Sequence, residues 1–166
     1  MIDCPRSGVP AAKRPIIFGV THYPVFLDIR GKQVLVVGAG KVALRKTRGL
    51  VDAGARVTVV APECLPEFED QPVKLVRRRF RVSDLNGAAL AFTATNDRLV
   101  NRRVMEAARR RGILVNVADA RNECDFILPA RIASGDLQIA VSTGGRSPRL
   151  AAGLRREIEN LLRKHR

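Results

Sequence analysis

Four short stretches hold residue types and spacings that could do chemistry. Asp119 closes the run Asn116-Val117-Ala118-Asp119, directly after an apolar stretch and ahead of no obvious helix. A carboxylate there can accept or relay a proton when a substrate is oxidised. Gly38-Ala39-Gly40 separates the apolar run Gln33–Val37 from a helical stretch beginning near Lys41. Gly38 allows the tight turn, Gly40 lets the backbone approach a pyrophosphate, and Ala43 lets the helix pack closely on the strand. The N–H groups of the helix N-terminus then face the phosphates. Thr143-Gly144-Gly145-Arg146-Ser147-Pro148 offers two glycines just ahead of a helix. That is either an anion-binding turn or a connector with Ser147 as N-cap and Pro148 as the first helical residue. It lacks the spacing and the Lys-Ser/Thr ending of a P-loop. Thr95-Asn96-Asp97 is the fourth stretch. Thr95 and Asn116 sit at the C-terminal ends of adjacent predicted strands, where open α/β sheets bind ligands, whereas Asp97 also reads as an acid favoured at a helix N-terminus.

The elements that must position these residues follow from the apolar pattern. Tyr23–Ile29 reads as a short strand, Gln33–Val37 as the central strand, and Lys41–Ala53 as a helix with Val42, Leu50 and Ala53 inward, stopped at Gly54. Arg56–Val60 and Val73–Val76 are the next strands, and Ser83-Asp84-Leu85 a short turn or helix start. Ala88–Ala94 is nearly continuous in apolar residues, as a buried parallel strand requires. A helix from Thr95 to about Arg111 stops at Gly112, and Leu114–Val117 is the fifth strand of this series. Strand and helix alternate, which predicts an α/β, Rossmann-type doubly wound parallel sheet over residues 23–117. After Asp119 the rhythm changes. Asp125–Leu128, Ala130–Ala133 and Leu137–Ser142 are short apolar runs without intervening helices, with a hairpin turn at Ser134-Gly135-Asp136. Residues 118–146 are therefore expected as a small antiparallel segment and 147–166 as a C-terminal helix. Residues 1–22, with Pro5, Pro10 and Pro15 and little periodicity, read as a flexible lead-in.

Within the parallel unit, the acid that usually contacts a ribose follows the second strand. The sequence there is Ala61-Pro62-Glu63, with Glu63 23 residues after Gly40, slightly beyond the usual spacing of about 20. The 2′-hydroxyl contact thus comes from Glu63 in the loop or from backbone groups. No arginine stands in that loop to meet a 2′-phosphate, which favours NAD over NADP.

Composition removes several classes. Hydrophobic residues make up 46% of 166, which suits a soluble globular protein, and no apolar run approaches the roughly 20 residues that span a bilayer. A cytoplasmic protein without membrane association is the expectation. The three cysteines are widely spaced and the two histidines lie near the ends, so neither a disulfide framework nor a metal site is expected. Thirty Lys+Arg against 16 Asp+Glu give a net charge of +14, which calls for an anionic partner. Aromatic residues do not interleave with the basic clusters and no nucleic-acid-binding signature appears, so a nucleic acid is not the expected one.

Taken together, Tyr23–Leu27, Val36–Lys46, Ala94–Asp97, Asn116–Asp119, Cys124–Ala130 and Val141–Pro148 resemble, in order and spacing, the sirohaem synthase N-terminal family. The resemblance implies NAD-dependent dehydrogenation of precorrin-2 to sirohydrochlorin, with iron insertion into sirohydrochlorin in some members. It implies Asp119 as the catalytic acid–base, and NAD contacts at Lys41, Val42, Pro62 and Glu63 beside Gly38, Gly40, Thr95 and Asn116. It implies substrate contacts at Thr143, Gly144, Arg146 and Ser147, with Arg121, Arg131 and Arg149 as further candidates for the carboxylates of an acidic tetrapyrrole. Thr143 stands where some relatives carry a phosphorylatable serine. Family members form homodimers through the antiparallel segment and usually continue into a longer helical tail, of which 147–166 is expected to be a truncated form. The alternatives are a non-catalytic NAD-sensing module, which needs neither Asp119 nor the GGRSP segment, and a basic nucleic-acid binder on the same scaffold.

Overall fold

The computed structural model describes residues 22–164, so the lead-in expected at 1–22 lies outside them except for His22. The described residues fall into two compact units, one running from Phe26 to Leu128 and the other built mainly from residues after Pro129.

The first unit is a five-stranded parallel sheet. Its strands are β1 (Gln33–Val37), β2 (Arg56–Val60), β3 (Lys74–Val76), β4 (Leu90–Thr93) and β5 (Leu114–Val117), in the order β3-β2-β1-β4-β5. Helix α1 (Lys41–Asp52) links β1 to β2, and α2 (Arg98–Arg109) links β4 to β5. The apolar run of β1 is explained by burial on both faces. Val34 and Val36 pack with Ala43, Leu44 and Leu50 of α1, whereas Leu35 and Val37 pack with Val104, Ala107 and Ala108 of α2. A strand sandwiched this way has no solvent-facing position to fill with a polar residue.

The helix boundaries follow from backbone chemistry. At the end of α1, Gly54 takes a positive φ of 77°, the Gly54 N–H bonds the Val51 carbonyl and the Ala55 N–H bonds the Leu50 carbonyl. This is the paired closure that glycine makes possible, and Gly112 closes α2 with the same pattern. At the start of α2, the Asp97 carboxylate accepts from the N–H groups of Leu99 and Val100, which settles its reading as a helix cap.

Val42, expected inward on α1, is exposed, and Ala43, Leu44 and Leu50 make the apolar contacts to the sheet instead. Three further local expectations are corrected. Tyr23–Ile29 is not a strand, and Tyr23 and Phe26 are exposed. The edges of β1 are already taken by β2 and β4, and Asp28 turns the chain ahead of β1 by accepting from the Arg30 N–H and guanidinium. Asp125–Leu128 is also not a strand. The Asp125 carboxylate takes the Val115 N–H, and the Asn116 side chain donates to the Phe126 carbonyl at 2.8 Å, so side chains close the outer edge of β5 where a sixth strand would sit. Residues 118–128, expected with the antiparallel segment, therefore belong to the parallel unit.

In the second unit β6 (Ala130–Ser134) and β7 (Leu137–Val141) pair antiparallel around a turn at Gly135-Asp136, and α3 (Pro148–Lys164) follows. Ser147 caps α3 by accepting from the Leu150 N–H at 3.2 Å, with Pro148 in the first position as expected. Among the described residues no helix is long and apolar enough to cross a membrane.

Gly38 is the position least able to carry a side chain. Its φ is +105°, and a Cβ built there falls 2.7 Å from the carbonyl carbon of Ala94 and closer still to its oxygen. Gly38→Ala is expected to lower the unfolding free energy by about 2–4 kcal/mol, from backbone strain and overpacking together. Gly40→Ala, where a Cβ meets open space, should cost no more than about 1 kcal/mol. Urea unfolding of the two variants checks the contrast.

Candidate functional site

The C-terminal ends of β1, β4 and β5 open onto a cleft of about 340 Å³. Gly40, Lys41 and Val42 line it from the start of α1, Ala94, Thr95 and Asn96 from the end of β4, and Ala118 and Asp119 from the end of β5. The strand ends are held level by three bonds beyond the ladder. Gly38 N–H bonds the Val60 carbonyl at 2.9 Å, Ala94 N–H bonds Val37 at 2.8 Å, and Ala118 N–H bonds Thr93 at 2.9 Å.

The start of α1 fits an anionic group. No side chain caps it, no acid lies in its first turn, and a Cβ at Gly40 would meet nothing within 4 Å. Its leading N–H groups and the positive end of its dipole are thus available to a phosphate. Pro62 and Glu63 are exposed in the loop after β2. That loop is pinned to the glycine turn at both sides, through Gly38 N–H to Val60 O and Leu65 N–H to Ala39 O at 3.1 Å.

Asp119 faces the same cleft from the opposite side. Its carboxylate lies 3.9 Å from the guanidinium of Arg98, whose other nitrogen pairs with Glu123. Arg98 therefore bridges two acids, and the Asp119 side chain remains 35% exposed. This arrangement orients the carboxylate without burying it, so it can still meet a substrate.

Thr95 is held by a residue that lies outside the four motifs. Asn101, fully buried on α2, donates to the Thr95 carbonyl, and its Oδ1 accepts from the Thr95 N–H and from the hydroxyls of Thr93 and Thr95. The signal was available: Asn101 occupies a polar place on the otherwise apolar face that carries Val104, Met105 and Ala108.

Asn116 is not brought into the cleft. Its side chain accepts from Lys46 Nζ at 2.7 Å and donates to the Phe126 carbonyl. Lys46 lies 5.7 Å over the ring of Phe92, and burial pushes its ammonium below the usual lysine range. The pair ties α1 to β5 beneath the cleft, leaving only backbone at Asn116 for a ligand.

Thr143, Gly144, Arg146 and Ser147 lie in the second unit, in the loop between β7 and α3. The Thr143 hydroxyl is engaged at both poles by Ser147 N–H and O, at 3.1 and 3.0 Å, and the Gly144 N–H bonds Ser142 Oγ. These bonds match the capped-connector reading of the loop. The Arg146 side chain is exposed, with no ion pair among the described residues.

A parallel sheet with a bare helix terminus at its glycine turn defines a dinucleotide-binding α/β protein. Comparison with known proteins gives the family. An NAD(P)-binding family matches residues 25–130, and a sirohaem biosynthesis protein central family matches residues 134–161. The solved structure of SirC, a precorrin-2 dehydrogenase, superimposes with a TM-score of 0.71 at 33% identity, covering 84% of this chain and 70% of that one. Siroheme synthase 2 of Klebsiella pneumoniae is 45% identical over 148 residues, and a siroheme synthase of Methylococcus capsulatus 46% over 145. Those alignments cover 87% and 85% of this chain but 32% and 31% of the relatives, so the chain spans about a third of their length. The chain belongs to the sirohaem synthase N-terminal family.

Asn101→Ala leaves the Thr95 N–H and two threonine hydroxyls without their buried partner. It is expected to cost about 2–4 kcal/mol and to weaken dinucleotide binding in parallel, because Thr95 lines the cleft. Thermal unfolding with and without NAD measures both.

Proposed function

We propose that this protein is the NAD-dependent dehydrogenase that converts precorrin-2 to sirohydrochlorin. One observation carries the reading: the uncapped start of α1 and the carboxylate of Asp119 line one cleft, a phosphate-binding terminus and a proton acceptor on opposite sides. The likeness to SirC and to the siroheme synthases supports the substrate.

The α1 terminus and the backbone at Gly40 would hold the pyrophosphate, with Gly38 setting the turn while its N–H stays on the Val60 carbonyl; Lys41 adds a positive charge at the rim, and Val42 offers an apolar contact. Glu63, in the loop braced against the glycine turn, accepts the ribose hydroxyl, with Pro62 shaping the loop. When bound, the nicotinamide supplies the acceptor for a hydride. The remaining hydrogen leaves the macrocycle as a proton, and Asp119 takes it, with Arg98 keeping the carboxylate turned toward the cleft. Precorrin-2 thus loses one hydride and one proton, giving sirohydrochlorin and NADH. The +14 charge suits a substrate rich in carboxylates, for which Arg146 and the Thr143–Ser147 loop are proposed contacts.

The working form is a homodimer built on the second unit. Among its described residues, Ile132 and Ala151 are the buried hydrophobic side chains, while Leu137, Leu150, Leu154 and Leu161 are exposed. A unit this small cannot bury enough apolar surface alone, and a second copy supplies the missing face. Leu154→Glu combined with Leu161→Glu is expected to shift the protein from dimer to monomer in sedimentation velocity.

The activity test is direct. Purified protein with precorrin-2 and NAD should form sirohydrochlorin, followed by its absorption, and absence of turnover overturns the reading. Asp119→Asn should slow turnover by about 10²–10⁴-fold while leaving the affinity for NAD unchanged.

A further inference from the structure

We infer that the groove along the first turns of α3 is a polycarboxylate-binding site built from Arg149 and Arg156. The groove, of about 370 Å³, is lined by both arginines together with Ser147, Leu150 and Gly153. Arg149, Gly153 and Arg156 stand at i, i+4 and i+7, so they share one face, with the arginines two turns and about 10.5 Å apart along the axis. Gly153 lies between them. Its helical backbone could carry any residue, and a Cβ there would meet nothing within 4 Å. A glycine at a mid-helix position sacrifices helix propensity, and here its visible effect is to leave the floor between two guanidinium groups open.

The two arginines also differ from others in the structure. Arg155 on the same helix pairs with Glu159, and Arg78, Arg98 and Arg109 each hold a carboxylate. Arg149 and Arg156 form no ion pair among the described residues. Two unneutralised planar donors across an open floor suit a ligand with several carboxylates, since guanidinium binds carboxylate in a bidentate fork. The face of Arg149, Gly153 and Arg156 is turned about 100° around the helix from the row of Leu150, Leu154 and Leu161, and Leu150 forms the edge that the two share. The identity of the physiological ligand as the acidic tetrapyrrole rests on the function proposed above; the groove itself does not.

The test uses two probes, mellitate (benzenehexacarboxylate) and sirohydrochlorin, titrated into the full chain at low ionic strength. Arg149→Gln with Arg156→Gln is compared with Arg163→Gln with Lys164→Gln, which removes the same charge from the far end of α3. The first pair is expected to weaken both probes by about 30- to 100-fold relative to the second, with NAD binding equal in the two. Gly153→Leu, which keeps both arginines and improves helix propensity, should weaken both probes about tenfold by filling the floor. Affinity in the double arginine variant within threefold of its charge-matched control overturns the site, and so does unchanged affinity in Gly153→Leu. If mellitate binding depends on the arginines but the unsubstituted protein fails to oxidise precorrin-2, the groove stands and the proposed reaction falls. If precorrin-2 is oxidised while both probes ignore the arginines, the reaction stands and the groove falls.

Discussion

Everything at the cleft depends on the close approach of Gly38 to the end of β4. The bare α-carbon lets the chain leave β1 against the Ala94 carbonyl, so that β1 and β4 finish at one level. The bonds from Gly38 to Val60, from Ala94 to Val37 and from Ala118 to Thr93 extend the same line across four strands. Each strand delivers its next residues to a shared space: Gly40 to Val42, then Thr95 and Asn96, then Asp119. A side chain at Gly38 would push two strand ends apart, and the groups they carry would no longer share one cleft.

The side-chain network beneath the cleft does a related job by different means. Lys46 and Asn116 tie α1 to β5, Asn101 fastens the turn after β4, and Asp125 closes the open edge of β5. Most of the acids near these loops are engaged in the same way. Asp84 holds Arg78 and the Arg81 N–H, and the Arg78 guanidinium keeps its carboxyl below the usual range. Asp125 holds Arg109 as well as Val115 N–H. The acids serve as fasteners, and much of the arginine excess remains on the outside as a positive surface.

What could be read from the sequence was whatever local pattern dictates. The βαβ rhythm, the glycine stops at Gly54 and Gly112, the Ser147-Pro148 cap and the hairpin at Gly135 each depend on neighbours in the chain, and each stands where it was expected. The failures share a cause. Tyr23–Ile29 and Asp125–Leu128 have strand-like composition, but a strand needs a free edge, and whether one exists is settled by parts of the chain far away. Asn116 shows the same limit within the site: its place at a strand end is legible, yet Lys46, 70 residues earlier, occupies its side chain. Asn101 was readable as a polar interruption of an apolar face, though its partners were not.

The division of β1 between two layers has a consequence for how the first unit comes apart. Val34 and Val36 belong to the layer with α1, and Leu35 and Val37 to the layer with α2, on one five-residue strand. Neither helix can detach without uncovering alternate residues of the strand that also anchors the other. The two layers are therefore coupled through one strand, and opening either face uncovers residues of the strand that the other face also packs on. The cleft shares that coupling, because the glycine turn at its edge is the direct continuation of β1.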